Sequence, residues 1–205
     1  MSSVIDLELL GSAFVTLFVI MDPPGTVPIF IALTASMTGR QRVRAARQAV
    51  VVAFGVIVAF AVFGQQLLDY LNISLPALQC AGGLLLLLVA LELLTGRSEA
   101  PGGAEGVNVA LVPLGTPLLA GPGAIVATMV FVQRADHLSE YVAVGVGVLL
   151  VHVCLWLAMR FAGRIHRVLG DGGTTLVTRI AGLLLSAIAV QLVADAVRAF
   201  IVGAG

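Results

Sequence analysis

Short polar stretches punctuate this chain, and between them lie six apolar windows, roughly 7–35, 48–68, 73–95, 107–133, 141–161 and 175–201. A helix needs about 20 mostly apolar residues to cross a bilayer, and each window supplies them. The pattern predicts an all-α membrane protein of six transmembrane helices joined by short connections, with no room for a soluble domain. Two windows depart from uniform apolarity in the same way. The first contains "VIMDPPGTVPIF", Val19 to Phe30, and the fourth contains "PLGTPLLAGPG", Pro113 to Gly123.

Proline inside a helix removes an amide donor and clashes with the carbonyl four residues back. Pro23, Pro24, Gly25 and Pro28 therefore predict that helix 1 is two half-helices meeting near Asp22, close to the middle of its window. Helix 4 is expected to repeat this, with Pro113 and Pro117 bending its first half and Gly121, Pro122 and Gly123 opening it at the same depth. Irregular backbone at that depth is tolerated only where it is buried in protein or lines a polar cavity, so the two breaks are expected to face each other inside the bundle.

The chain also repeats itself. At an offset of 99 residues, Gly83, Ala90 and Glu92 lie over Gly182, Ala189 and Gln191. At an offset of 98, Pro24 and Gly25 lie over Pro122 and Gly123. Each half then holds three helices, an odd number, so the second half enters the membrane inverted. Two inverted three-helix repeats are a common plan of secondary transporters. The expected division is 1–96 for the first repeat, 97–106 for a cytoplasmic linker rich in glycine and polar residues, and 107–205 for the second repeat.

Each second half-helix begins with N–H groups, from Gly25, Thr26 and Val27 in one break and from Gly123, Ala124 and Ile125 in the other, and such termini attract a carboxylate. Asp22 is the only acid at either break, since its counterpart at the 98-residue offset is Ala120. One carboxylate beside an anion-seeking backbone, with Gly25, Ala120, Gly121, Gly123 and Ala124 leaving little side-chain bulk, suits a small zwitterion such as a neutral amino acid. Asp-Pro is equally a helix-capping signature, with Asp22 as N-cap and Pro23 as the first helical residue.

Composition supports the membrane class: 60% of residues are hydrophobic and 11% charged, outside the range of soluble domains. All eleven basic residues are arginine. Nine of them, Arg40, Arg42, Arg44, Arg47, Arg97, Arg160, Arg164, Arg167 and Arg179, fall on one side of the predicted topology, against Arg134 and Arg198 on the other. The positive-inside rule puts the larger group in the cytoplasm and both termini in the periplasm of a bacterial inner membrane. Met1 to Glu8 carries no basic residue and no cleavage site, so it is expected to lead directly into the first helix. The arginine-rich turn expected from Gly39 to Arg47 reads as an orientation anchor near anionic lipid, not as a nucleic-acid patch.

The remaining intramembrane polar groups are few. Gln79, Gln191 and His152 are placed for interhelical hydrogen bonds and, with Asp22, are candidates for contact with substrate or coupling ion. Asp195 and Arg198 have the spacing of a local ion pair, and Glu92 that of an interfacial carboxylate. Gly82, Gly83, Gly145 and Gly147 read as close-packing positions. Cys80 and Cys154 sit singly on different helices, without the spacing of a metal or redox motif. No Walker loop, His-Glu-x-x-His or Gly-x-Ser-x-Gly is present, so ATP-driven pumping and intramembrane hydrolysis have no sequence support. No resident metal or cofactor is expected beyond a coupling proton or sodium ion.

"MDPPGTVPIF" followed by a basic segment, and later "PLGTPLLAGPGAI", resemble the two signatures of the MarC family of bacterial and archaeal membrane proteins, over essentially the whole chain. The resemblance implies a secondary transporter of small neutral amino acids of the glycine and alanine type, driven by a cation gradient. Carried over by motif, it implies a substrate region of Asp22, Pro23, Pro24, Gly25, Thr26 and Pro28 in helix 1, with Thr116, Pro117, Gly121, Pro122, Gly123 and Ala124 in helix 4. Pro24 departs from the pattern, standing where many relatives have a smaller or branched residue, and stiffens the break. The competing classes are a channel or exporter of another small metabolite and a membrane thiol-redox protein.

Overall fold

The computed structural model describes residues 6–34, 37–95 and 119–203. Seven helices account for nearly all of them: α1 (Leu7–Met21), α2 (Pro23–Leu33), α3 (Gly39–Leu71), α4 (Leu75–Thr95), α5 (Pro122–Gln133), α6 (Leu138–Arg160) and α7 (Ala162–Gly203). Among the described residues there is no strand. Five segments are long and apolar enough to cross a membrane: Leu7–Val27, α3, α4, α6 and Thr175–Val202. The apolar α5 is shorter, at 12 residues, because it begins at Pro122 after its N-cap Gly121; the first part of the fourth window and the expected linker lie outside the described residues.

Local chemistry explains where the helices start and stop. The Asp6 carboxylate accepts from the Leu9 amide at 2.9 Å and opens α1. Thr38 and Gln41 form a capping box that opens α3, and Asn72 closes it in the left-handed conformation at φ 55°, which asparagine tolerates. The capping box also corrects an expectation. Arg40, Arg42, Arg44 and Arg47 do not form a turn, because arginine, alanine and glutamine are good helix formers and extend the spanning helix outward by more than two turns. The connection after α6 is likewise helical, bent at Gly170, where φ 63° and ψ −178° are open essentially to glycine alone.

The exposed faces carry large apolar side chains, among them Val51 and Phe63 on α3, Leu85 and Leu88 on α4, and Leu183 and Val190 on α7. In a chain of this composition such faces meet lipid. Inside, one buried cluster unites residues of α1, α2, α3, α5 and α6, including Leu17, Val27, Phe30, Ile57, Val148 and Leu155. A second, smaller cluster joins Leu86 and Ala90 of α4 to Leu185 and Ala189 of α7.

The helix pairs follow an exchange pattern. The first broken segment, α1 with α2, packs on α6 and α7, while α5 packs on α3 and α4. The contact between α4 and α7 is reciprocal in detail: a Cβ at Gly83 would stand 2.9 Å from the Ala189 carbonyl oxygen, and one at Gly182 would stand 3.2 Å from that of Ala90. Gly82 and Gly147 are close-packing positions as expected, Gly82 against Val126 and Gly147 against the Phe14 backbone. Gly145 is not, since nothing lies within 4 Å of the position a Cβ would take.

Candidate functional site at two helix breaks

Asp22 makes the first break. Its backbone sits at φ 40°, ψ 67°, a strained region for a residue with a side chain, and its amide donates to the Phe18 carbonyl at 3.1 Å to end α1. The same residue begins α2. Its Oδ1 accepts from the Gly25 amide at 3.1 Å, and its carbonyl accepts from the Thr26 amide at 3.0 Å and the Thr26 hydroxyl at 2.9 Å. Pro23 and Pro24 occupy the first two positions of α2, where a missing N–H leaves no helical partner wanting. Two of the three donors expected to be free, Gly25 and Thr26, are thus taken by Asp22. A Cβ at Gly25 would overlap the Asp22 carboxylate, so glycine there keeps room for the cap. Pro28 lies within α2 and withdraws the amide that the Pro24 carbonyl would receive in a regular helix.

The second break is built differently. Leu119 and Ala120 run buried into Gly121, the extended N-cap of α5 at φ −62°, ψ 161°, with Pro122 as the first helical residue and no side-chain cap. The Ala124 and Ile125 amides both turn back to the Gly121 carbonyl, at 3.0 and 3.2 Å, which leaves Gly123 as the leading donor of the terminus. A Cβ at Gly123 would overlap Leu86 of α4. Thr116 and Pro117, with Pro113, lie outside the described residues.

The two breaks share one environment. α1 packs against α5, and Met21 and Val27 flanking the first break belong to the same buried cluster as Ala120 and Ala124 flanking the second. Thr26 is 5% exposed and Ala124 1%, so polar backbone here is enclosed by protein.

The other candidates divide. Gln79 on α4 is buried, and its Nε2 has no partner among the described residues; α4 lies against α5 through Gly82 and Val126. His152 on α6 is also buried, but its bond is not to a neighbouring helix: Nδ1 donates to the Val148 carbonyl at 2.7 Å on its own helix, because that carbonyl is one turn back and only accepts. Nε2 is buried and without a partner among the described residues, and the ring meets the Phe54 ring edge-on with centroids 5.1 Å apart. Gln191 is exposed and donates to Asp195 at 2.8 Å along α7, a bond within its own helix, and makes no interhelical bond among the described residues. Asp195 faces the end of α5 and approaches Arg134 at 3.9 Å, not Arg198, since the α5 terminus brings a second arginine beside it. Glu92 is exposed, and Cys80 and Cys154 are free thiols. Among the described residues no three His, Cys, Asp or Glu side chains gather as metal ligands.

A cavity of about 590 Å³ opens between α3, α5 and α6, lined by Phe54, Ile57, Val62, Thr128, Val144 and Val148 among others. Gln65 and Gln133 hydrogen-bond to each other on its wall. It does not coincide with either break; Thr128, whose hydroxyl donates to the Ala124 carbonyl at 2.8 Å, links the two. Sequence reasoning missed it, and the only signal was Gly145, whose lack of a side chain leaves space in the wall.

Residues 7–201 match the model of the MarC family of integral membrane proteins. Among curated proteins the chain is 38% identical over 200 residues to a UPF0056 membrane protein of Methanocaldococcus jannaschii, covering 94% of this chain and 98% of that one. It is 36% identical over 194 residues to a UPF0056 membrane protein of Aquifex aeolicus, covering 91% of each. It is 30% identical over 206 residues to the UPF0056 inner membrane protein MarC of Escherichia coli O157:H7, covering 92% of this chain and 93% of that one. No solved structure matches.

Proposed function

The chain belongs to the MarC family of integral membrane proteins, and from that premise we propose that it is a secondary transporter of small neutral amino acids, driven by an ion gradient. One observation carries the reading: the carboxylate of Asp22 and the side-chain-free terminus of α5 lie at two breaks within one buried cluster. A zwitterion has two ends to satisfy. Its ammonium goes to Asp22 and to the Pro24 carbonyl freed by Pro28, and its carboxylate goes to the Gly123 amide at the positive end of α5. Glycine and alanine at the second break admit only a small substrate. Asp22 is also the group through which a proton couples, or beside which sodium binds.

The reading includes the inverted repeat. Exchange of partners between the broken segments, and the reciprocal contacts of Gly83 with Ala189 and Gly182 with Ala90, are what a two-fold relation between the halves produces. Alternating access then moves the remaining helices of each half about the α4 and α7 pair, which is too close for sliding and stays fixed. Nine arginines against two support termini outside, and the name of the Escherichia coli relative, an inner membrane protein, supports that membrane. The protein acts on its cargo without covalent chemistry.

Purified protein in proteoliposomes is expected to accumulate labelled glycine or alanine saturably, and faster under an imposed proton or sodium gradient. Absence of saturable uptake of either would sink the amino-acid reading. The largely apolar cavity beside α5 favours a second reading, a channel or exporter of a less polar metabolite, which efflux of such compounds without glycine uptake would support.

A further inference from the structure

The arginine-bearing end of α3 has a face that neither the fold nor the transport reading uses. At 3.6 residues per turn, Arg40, Arg44, Arg47 and Val51 fall within a sector of about 60°, and all four are exposed as well as aligned. Arg42 points to the opposite side, where its Nη2 donates to the Thr34 carbonyl at 3.1 Å and caps the end of α2. The segment is therefore sorted: one arginine serves the protein, and three line up on a face that continues as exposed valine.

Nothing described in the protein balances this charge. No acid stands in the first turn of α3, and the one ion pair among the described residues is that of Arg134 with Asp195. Arginines in a row repel one another, and the positive end of the helix dipole adds to their potential. At the level where the arginines give way to valine, Arg47, Gln48, Val51 and Val52 line a depression of about 300 Å³. Its upper wall offers a guanidinium and an amide, and its lower wall offers only apolar carbon. An occupant must then be anionic at one end and hydrocarbon at the other.

We propose that this face is a binding site for an anionic phospholipid: Arg40, Arg44 and Arg47 hold the headgroup phosphate, Gln48 hydrogen-bonds to it, and an acyl chain lies along Val51 and Val52. The guanidinium fork matches phosphate oxygens in pairs, and the continuous stripe places headgroup and chain in the order a leaflet requires. The site holds whether or not the protein transports amino acids.

Native mass spectrometry of the protein released from mixed phosphatidylglycerol and phosphatidylcholine nanodiscs tests it. Wild-type protein is expected to retain phosphatidylglycerol in preference by on the order of tenfold. Arg40→Gln/Arg44→Gln/Arg47→Gln is expected to bring retention near parity, while Arg160→Gln/Arg164→Gln, which removes two exposed charges between α6 and α7, leaves the preference in place. Equal loss in both variants, or unchanged retention in the triple variant, overturns the site. Displacement of the lipid by millimolar inorganic phosphate overturns the membrane assignment in favour of a soluble anion. All three altered arginines are exposed, and circular dichroism of the triple variant checks that its helices are intact.

Discussion

The two breaks, matched in sequence at an offset of 98 residues, are finished in opposite ways. At the first, Asp22 closes one helix with its amide, opens the next with its carboxylate and carbonyl, and leaves the donors of Gly25 and Thr26 occupied. At the second, Gly121 offers no side chain, and the α5 terminus keeps the Gly123 donor uncapped. The shared feature is proline at the first helical position, where it costs least. The difference lies in charge. One break carries a carboxyl group, and the other an uncapped helix N-terminus, so the pair is polarised within one buried cluster.

The largest effect expected from breaking that comparison is on transport through Asp22. Asp22→Asn retains an N-cap acceptor and tolerates the left-handed backbone, so helicity and Tm should hold while glycine uptake falls by roughly 10- to 100-fold, the loss of a charge-assisted hydrogen bond. Asp22→Ala should lose the uptake and, in addition, about 1 kcal/mol of stability with the cap. Wild-type uptake in Asp22→Asn would show that the acid only caps.

Making the second break resemble the first gives the converse. Gly121→Asp supplies a cap to α5 and should raise stability by only a few tenths of a kcal/mol, since glycine is itself an acceptable N-cap. Glycine uptake should nevertheless fall about as far as in Asp22→Asn, because a carboxylate now fills the place of the substrate's own. A Gly121→Asp protein that transports normally would remove the α5 terminus from the site.

Smaller changes test the fixed pair. Gly83→Ala puts a methyl 2.9 Å from a backbone oxygen and Gly182→Ala puts one at 3.2 Å. Both should lower stability, Gly83→Ala by about 1–3 kcal/mol as overpacking usually does and Gly182→Ala by less, read as Tm in detergent. Smallest is Arg134→Ala, which removes a pair 3.9 Å apart whose side chains are 64% and 30% exposed; its cost should stay below about 0.5 kcal/mol and vanish in high salt.

Much of this was legible in the chain because the physics is local. A run of about 20 apolar residues must pair its own backbone in lipid, so the spans follow from composition. Pro23, Pro24 and Gly25 cannot continue a helix whatever surrounds them, so the break follows too. Gly83 was legible as a close-packing position while Gly182, matched to it at the 99-residue offset, was not, and the structure sets Gly83 against Ala189 and Gly182 against Ala90. Side chains whose partners are chosen in three dimensions were less legible. His152 found its carbonyl one turn back on its own helix, Asp195 found Arg134 on another helix, and Gln191 bonded along its own surface.

What the sequence determined by itself, then, is where the backbone lies in lipid and where it must stop being helical, since both depend on residues within a turn or two. Tertiary structure alone decided that the two breaks enter one buried cluster and that a cavity lies between α3, α5 and α6. Those outcomes depend on which helix faces cross. Helix crossing is set by the close approach of small residues drawn from distant parts of the chain, which no window along a single segment contains.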